Sequence, residues 1–563
     1  MKKDYIELMS RALTAYSDEH IHEYVDRVKR DGLTEHGFPR LTANLGVLMT
    51  NGIRTDLLPL FVEMMDLCCD EMAKGTKAAN EFSVRELVCC LLAVEQAALV
   101  DREKTEAWRA SLAKITPKAC YNQVIEDAKA RNRNWILFGA VSEYLRQYAG
   151  IANNQAYIDL CVEQQMQFLD ENGMYCDRKG SEMHQPMVYD MVSRGLFSVL
   201  FHFGYRGPHY EAVDAKLKKA SLMMLEMQSV TGELPYGGRS NQFAHNEAWM
   251  ATIFEYEANR YAKAGDMEMA KKFKTGAKLA IEAVRLWLGK EPIHHVKNRF
   301  PLETNYGCEG YGYFDKYMIT AASFLYTAYL ICDDTLPVGE ENPETYLGFT
   351  SHCFHKIYAK TKNYAVEFDT NPDPDYEMGG LGRVHRKGAP SAICLSLPCP
   401  SPAEAHYTID REDAIPAALC LCKNVDGEWQ APIDTEYEII STRTEKGLAM
   451  LRMDCRMRND TTLGVLVTAD YIVDDAGVDI VLQSKKPYGF MIPAFCFDGE
   501  TETKLTIKDH SVFVDYEGYR CRYLTNGTIV DTGKIACNRN GYYRVFVATG
   551  ENSLRVHIDI EPV

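Results

Sequence analysis

The feature that most constrains this chain is a change of hydrophobic period partway along it. Up to about residue 335, apolar residues recur at helical spacing, as in Val213, Leu217, Ala220 and Met224, or in Phe273, Ala277, Ile281, Val284 and Leu288. After the polar stretch CDDTLPVGEENPE (332–344) the period falls to two, as in Tyr364, Val366 and Phe368, or in Leu554, Val556, Ile558 and Ile560. A long block of helices followed by a long block of strands is not an alternating βαβ pattern, which excludes a doubly wound parallel sheet. The expected fold is multidomain, α then β: a toroid of helical hairpins over 1–335, a linker over 336–345, and an antiparallel β-sandwich over 346–563.

A weak internal repeat supports the toroid. QQMQFLDENGMYCD (164–177) is echoed by MMLEMQSVTGELPY (223–236), each a helix end, a turn centred on Gly173 or Gly232, and a polar, aromatic loop. New amphipathic helices begin near Tyr189 and Asn246. A third long loop, 294–317, follows at a similar interval. Hairpins repeated in this way close into a ring or stack into a solenoid, and a ring with such loops at one end has a cleft there.

Charge and composition exclude several partners. A net charge of -17 argues against a nucleic-acid backbone. No apolar run reaches the roughly 18 residues a membrane helix needs, and the N-terminus lacks the pattern of a secretory signal, so a cytoplasmic protein is expected. The 18 cysteines include no CxxC pair and read as buried, reduced thiols rather than zinc ligands or a disulfide framework. His352 and His355 fall on opposite faces of a strand, and Gly310 and Gly312 lack the Lys-Ser/Thr of a phosphate loop. Neither a metal nor another cofactor is expected, and self-association is left open.

The chemistry is concentrated in three loops. GSEMHQPMVYD (180–190) carries Glu182, His184, Tyr189 and Asp190. ELPYGGRSNQFAHNEAW (233–249) carries Tyr236, Arg239, His245, Asn246, Glu247 and Trp249. RFPLETNYGCEGYGYFDKY (299–317) carries Arg299, Tyr306, Glu309 and Tyr311. Each set precedes or starts a helix, where backbone N–H groups favour anions. Aromatic platforms with amide, carboxylate and guanidinium groups suit an acidic sugar, with Arg239 or Arg299 forking onto its carboxylate. Hydrolysis of a glycosidic bond needs two facing carboxyl groups, and Glu247 and Glu309, with Asp190 in reserve, could supply them. Elimination beside a uronate carboxylate needs a group to neutralise that carboxylate and a base, for which His245, Asn246 and Tyr306 serve. The Asn246-Glu247 pair also reads as a helix cap with a first-turn charge. The segment 369–396 reads as an irregular loop, with Arg383, His385, Arg386 and Lys387 placed to add a basic contact.

A helical toroid with His/Asn/Glu and Tyr-rich rim loops and a C-terminal antiparallel sandwich resembles carbohydrate-active enzymes that process uronic acids. Two groups fit: toroid glycoside hydrolases of the β-glucuronidase type, and the heparinase and alginate-lyase-like polysaccharide lyases. The lyase resemblance implies an Asn-His pair with a Tyr, matched by Asn246 beside His245 in reversed order and by Tyr306 or Tyr311. The hydrolase resemblance implies Glu247 and Glu309 as the carboxylate pair. The expected activity is an exo-acting hydrolase that removes a terminal uronate from oligosaccharides, with a uronate lyase as the alternative.

Overall fold

Period-3.6 sequence becomes helix wherever an apolar stripe finds a neighbour to bury it. In the computed structural model, residues 1–125, 133–177, 184–341, 344–431, 435–459 and 462–563 are described, the side chains of 133, 458–459 and 462–464 excepted. Fourteen α-helices are found among the described residues: α1 (Lys2–Leu13), α2 (Asp18–Asp31), α3 (Gly37–Thr50), α4 (Leu58–Ala73), α5 (Val84–Ala97), α6 (Arg102–Leu112), α7 (Pro117–Cys120), α8 (Arg133–Tyr148), α9 (Gln155–Gln165), α10 (Met187–His202), α11 (Tyr210–Met227), α12 (His245–Lys263), α13 (Met267–Leu288) and α14 (Phe314–Ile331).

Six of these close a ring. Helix α3 packs on α5, α5 on α8, α8 on α10, α10 on α12, α12 on α14, and α14 returns to α3. The inner helices are buried nearly all round, as the unbroken buried runs of α3 (37–49) and α10 (190–201) show. Outer helices bury one stripe only: in α11 it is Val213, Leu217, Ala220, Ser221, Met224 and Met227. The toroid expected from the repeat is therefore present. Its two turns match atom for atom in their hydrogen bonds: Asp170 N donates to Met174 O and Gly173 N to Asp170 O, as Ser229 N does to Glu233 O and Gly232 N to Ser229 O. Gly173 and Gly232 both have positive φ, and a Cβ at either would stand 2.1 or 2.2 Å from a backbone carbonyl of the next outer helix, Lys216 or Leu279. Only glycine lets the turn dock that closely.

The period-2 half forms seventeen antiparallel strands among the described residues. A four-stranded sheet runs in order through β1 (Tyr346–Phe349), β2 (Lys356–Lys360), β3 (Tyr364–Asp369) and β4 (Gly380–Arg386). The others are β5 (Cys420–Val425), β6 (Glu428–Gln430), β7 (Thr435–Glu445), β8 (Leu448–Asn459), β9 (Thr462–Asp474), β10 (Val478–Gln483), β11 (Gly489–Phe497), β12 (Lys504–Lys508), β13 (Ser511–Tyr516), β14 (Tyr519–Thr525), β15 (Thr528–Asn538), β16 (Gly541–Thr549) and β17 (Ser553–Pro562). They form an eight-stranded sheet ordered β12-β13-β14-β17-β10-β9-β8-β7 and a five-stranded sheet ordered β15-β16-β11-β5-β6. One apolar core serves all three sheets, with the alternate residues Leu554, Val556, Ile558 and Ile560 of β17 inside it. Part of the segment read from sequence as a loop over 369–396 is instead β4, because Leu381 and Val384 pair into the sheet and enter that core. No helix among the described residues is long and apolar enough to cross a membrane.

The two halves meet along a polar seam. Tyr236 N donates to Glu367, Arg383 donates to Glu367 and to Leu234 O, Gln185 N donates to Cys353 O, and Arg539 pairs with Glu309. The loops of the ring are thus clamped from the strand side.

Candidate active site

A cavity of about 590 Å³ opens at one end of the ring. Each of the six inner helices contributes a residue from its first turns or from just before its start: His36 and Arg40 at α3, Phe82 before α5, Asn134 and Trp135 at α8, Val188 and Tyr189 at α10, His245 at α12, and Lys316 and Tyr317 at α14. This is the end of the ring where unpaired N–H groups and helix dipoles favour negative charge. Phe82 is edge-on to Trp135, with ring centres 4.7 Å apart, and tilted on Phe138 at 4.3 Å, which gives one wall an aromatic face.

The same cavity holds a connected polar group. The hydroxyl of Ser240 is 3.4 Å from that of Tyr189 and 3.1 Å from that of Tyr311. The guanidinium of Arg239 lies 4.1 Å from the centre of the Tyr189 ring and is held there by a 2.5 Å ion pair with Asp177. Ser240 takes a left-handed backbone conformation, and its N–H donates to Glu309 at 2.5 Å, so a buried carboxylate fixes the turn that presents the hydroxyl. Burial, then the neighbouring Tyr189 and Glu309, hold the Tyr311 phenol far above its ordinary value, so Tyr311 stays protonated. His245 stacks on Phe243 at 5.4 Å, and burial followed by Arg40 lowers its pKa to about 3, which keeps the ring neutral at ordinary pH.

Of the residues named from sequence, four line this cavity: Tyr189, Arg239, His245 and Tyr311. The proposed carboxylate pair is not there. Glu247 is buried, accepting Leu234 N at 3.1 Å and Lys297 Nζ at 2.8 Å. Glu309 accepts two bonds from Arg539, at 2.6 and 3.1 Å. Asp190 forms a fork with Arg194 and accepts Tyr175 N at 2.6 Å. Asp190 and Glu247 occupy equivalent places in the repeat, each pinning the residue that follows the glycine turn to the start of an inner helix.

The remaining residues lie outside the lining of this cavity. Tyr306 is stacked on Phe300 at 3.7 Å and donates to Asn538 O. Asn246 donates to Ser240 O, and Trp249 donates to Val192 O inside the ring. Tyr236 lies under Lys356, 3.7 Å from its ring centre. His184 bonds Asn371 O, Arg299 pairs with Glu500, and His385 sits between Ser229 and Ser396. Arg383 is fully buried against Glu367, so it adds no basic contact to the cleft. Glu182 lies outside the described residues.

Sequence patterning gives no role to His36, Arg40, Asn134, Trp135, Ser240, Lys316 or Tyr317, and points to Tyr189 without one. The dipeptide Asn134-Trp135 at a helix start was a readable signal, of the same kind as the loops that were chosen.

The buried histidines make the fold acid-sensitive. His245 and His385 have pKa values lowered to about 3 and His295 to about 4, in each case by burial first. Unfolded, each titrates near 6.5, so between that pH and about 4 the unfolded state binds more protons and stability falls as pH falls. Each contributes a slope of up to about 1.4 kcal/mol per pH unit. Urea unfolding midpoints should therefore drop steeply from pH 6.5 to pH 4.5, and a flat profile there would contradict neutral, buried imidazoles.

No protein-family model matches the chain. No curated protein matches it in sequence. Solved structures of similar fold do exist. A heparan sulfate lyase mutant from Pedobacter heparinus matches with TM-score 0.46 and 8% identity, covering 94% of this chain and 76% of that one. A Streptomyces coelicolor A3 chondroitin AC lyase, solved with chondroitin sulphate, matches with TM-score 0.48 and 13% identity over 98% and 82% of the two chains. A Paenibacillus xanthan lyase gives TM-score 0.46 and 8% identity over 93% and 53%. The β-glucuronidase-type hydrolase reading is corrected on the geometry: Glu247 and Glu309, the carboxylates it required, are held in buried ion pairs with Lys297 and Arg539 and do not line the cavity.

Proposed function

We propose that the protein is a lyase for saccharides containing uronic acid, cleaving the glycosidic bond by β-elimination. The observation that carries this reading is the make-up of the cavity: phenols, imidazoles, guanidinium and amide groups, with Glu35 the only carboxylate among its described lining residues. Glu35 is itself engaged by Tyr24 and by Gly37 N. Two opposed carboxyl groups, which hydrolysis needs, are not on offer there.

Elimination needs less. Tyr189, with the Arg239 guanidinium over its ring, acts as the base and removes the proton from the carbon beside the uronate carboxylate. The electron pair of that C–H bond forms the new carbon–carbon double bond as the bond to the glycosidic oxygen breaks. Tyr311 gives its proton to the departing oxygen only as Ser240 replaces it, so that no Tyr311 phenolate is left behind. Ser240 lies between the two phenols, so the proton taken up by Tyr189 passes through its hydroxyl to Tyr311 in the same step, which restores the starting state without consuming water. His245, too hard to protonate to be the base, serves as a neutral hydrogen-bonding group. The aromatic wall of Trp135 and Phe82 provides a platform for a sugar ring.

The test is to incubate the protein with uronate-containing polysaccharides and oligosaccharides in oxygen-labelled water. Elimination yields an ultraviolet-absorbing unsaturated uronate and no label in either product. Release of saturated ends carrying solvent oxygen would overturn the reading.

A further inference from the structure

Arg40 and Arg85, on the neighbouring inner helices α3 and α5, share one carboxylate. Glu86 Oε1 is 2.7 Å from Arg85 Nη2 and 3.2 Å from Arg40 Nε, and its other oxygen accepts from Ser323 at 2.8 Å. All three charged side chains are at most 3% exposed. Two guanidinium groups and one carboxylate leave one positive charge over in a dry interior, an arrangement that costs free energy unless an anion completes it.

The other ionisable groups that face Arg40 do not complete it. Glu35 and Lys316, both lining the cavity, offset one another. His36 and His245 are held neutral, by burial first and then by Arg40 itself. Burial draws Arg40 below the ordinary guanidinium value, with Glu86 opposing and Arg85 reinforcing the shift.

Arg40 also belongs to the wall of the cavity, and while Nη1 donates to Thr320 Oγ1 at 2.6 Å, the buried Nη2 has no hydrogen-bond partner among the described residues. The rings of Phe82 and Phe324 each lie with their centres 5.7 Å from the guanidinium carbon. The first turn of α3 adds the favourable end of its dipole.

We infer that Arg40 is the floor of an oxyanion site in this cavity, and that it takes a carboxylate or sulfate ester of the bound saccharide through its free Nη2. That the oxyanion belongs to a saccharide rests on the lyase reading; the site itself rests on the unpaired guanidinium. A planar fork with one donor already committed to Thr320 suits an oxygen of a carboxylate or sulfate, and lysine would not reproduce it.

The experiment uses the full chain and two probes, inorganic sulfate and free glucuronate, with binding followed by titration calorimetry. Saturable binding of at least one probe is expected for the wild type, weakened about ten- to hundredfold in Arg40→Lys. Thr320→Val keeps the Glu86 pairing but frees Nη1, and is expected to weaken binding severalfold even if the Arg40 variant fails to fold. Absence of wild-type binding of both probes, or unchanged affinity in every folded variant, would overturn the site. Comparing desulfated with carboxyl-reduced polysaccharide then identifies the source of the oxyanion, since only the polymer that lacks it should bind wild type and Arg40→Lys alike. Oxyanion binding without elimination would sink the lyase reading and leave the site standing; elimination with KM unchanged in Arg40→Lys would do the reverse.

Discussion

Tyr189→Phe is expected to lower the elimination rate by about 10²- to 10⁴-fold, the usual contribution of a positioned proton-transfer group, while leaving KM nearly unchanged. The fold should hardly notice, because among the described residues the hydroxyl's hydrogen-bonding contact is a long one, 3.4 Å to Ser240, and the ring stays beneath Arg239. Unfolding midpoints within about 0.5 kcal/mol of wild type are therefore expected. Tyr306→Phe is the opposite case. It removes a buried hydrogen bond to Asn538 O, which lowers stability by about 1 kcal/mol and leaves turnover alone. A Tyr189→Phe protein with full activity would move the proton transfer to another group and end the assigned role of the Tyr189–Ser240–Tyr311 series.

That contrast also shows where sequence reading stops. The change of period, the toroid and the equivalence of the Gly173 and Gly232 turns are all local patterns, and local patterns survive folding. The choice of site residues depends on something finer. His245, Asn246 and Glu247 are consecutive at the start of α12, and a helix turns about 100° per residue, so they cannot share a face. His245 reaches the cavity, Asn246 holds the Ser240 carbonyl, and Glu247 turns inward to Lys297. Asp190 follows Tyr189 in the same way. His36 and Arg40 were missed for a topological reason: they lie far from the three chosen loops in sequence and reach the site only because α3 closes the ring against α14. A reading that took ring closure literally would have searched every inner helix start, including Asn134-Trp135.

Glu309→Ala should unfold the protein far more readily, by about 3–5 kcal/mol, because it strands a charge that has no water to turn to. Arg539, fully buried, gives two of its nitrogens to Glu309 and lies with its guanidinium carbon 4.1 Å from the centre of the Tyr407 ring. Glu309 also accepts the Ser240 N–H, so the same change releases the turn carrying the hydroxyl between the two phenols. Arg539→Ala should cost a similar amount from the other side. The double change to leucine and methionine should recover much of the loss, since a buried pair replaced as a unit leaves no orphaned charge. Arg555, in an exposed pair with Asp479, is the control and should change stability by less than about 1 kcal/mol. Urea unfolding of the four variants reads all of this directly. A Glu309→Ala protein as stable as the control would show that the clamp between ring and strands is not where the structure puts it. If that stable protein had also lost all turnover, Glu309 would instead be acting in the chemistry.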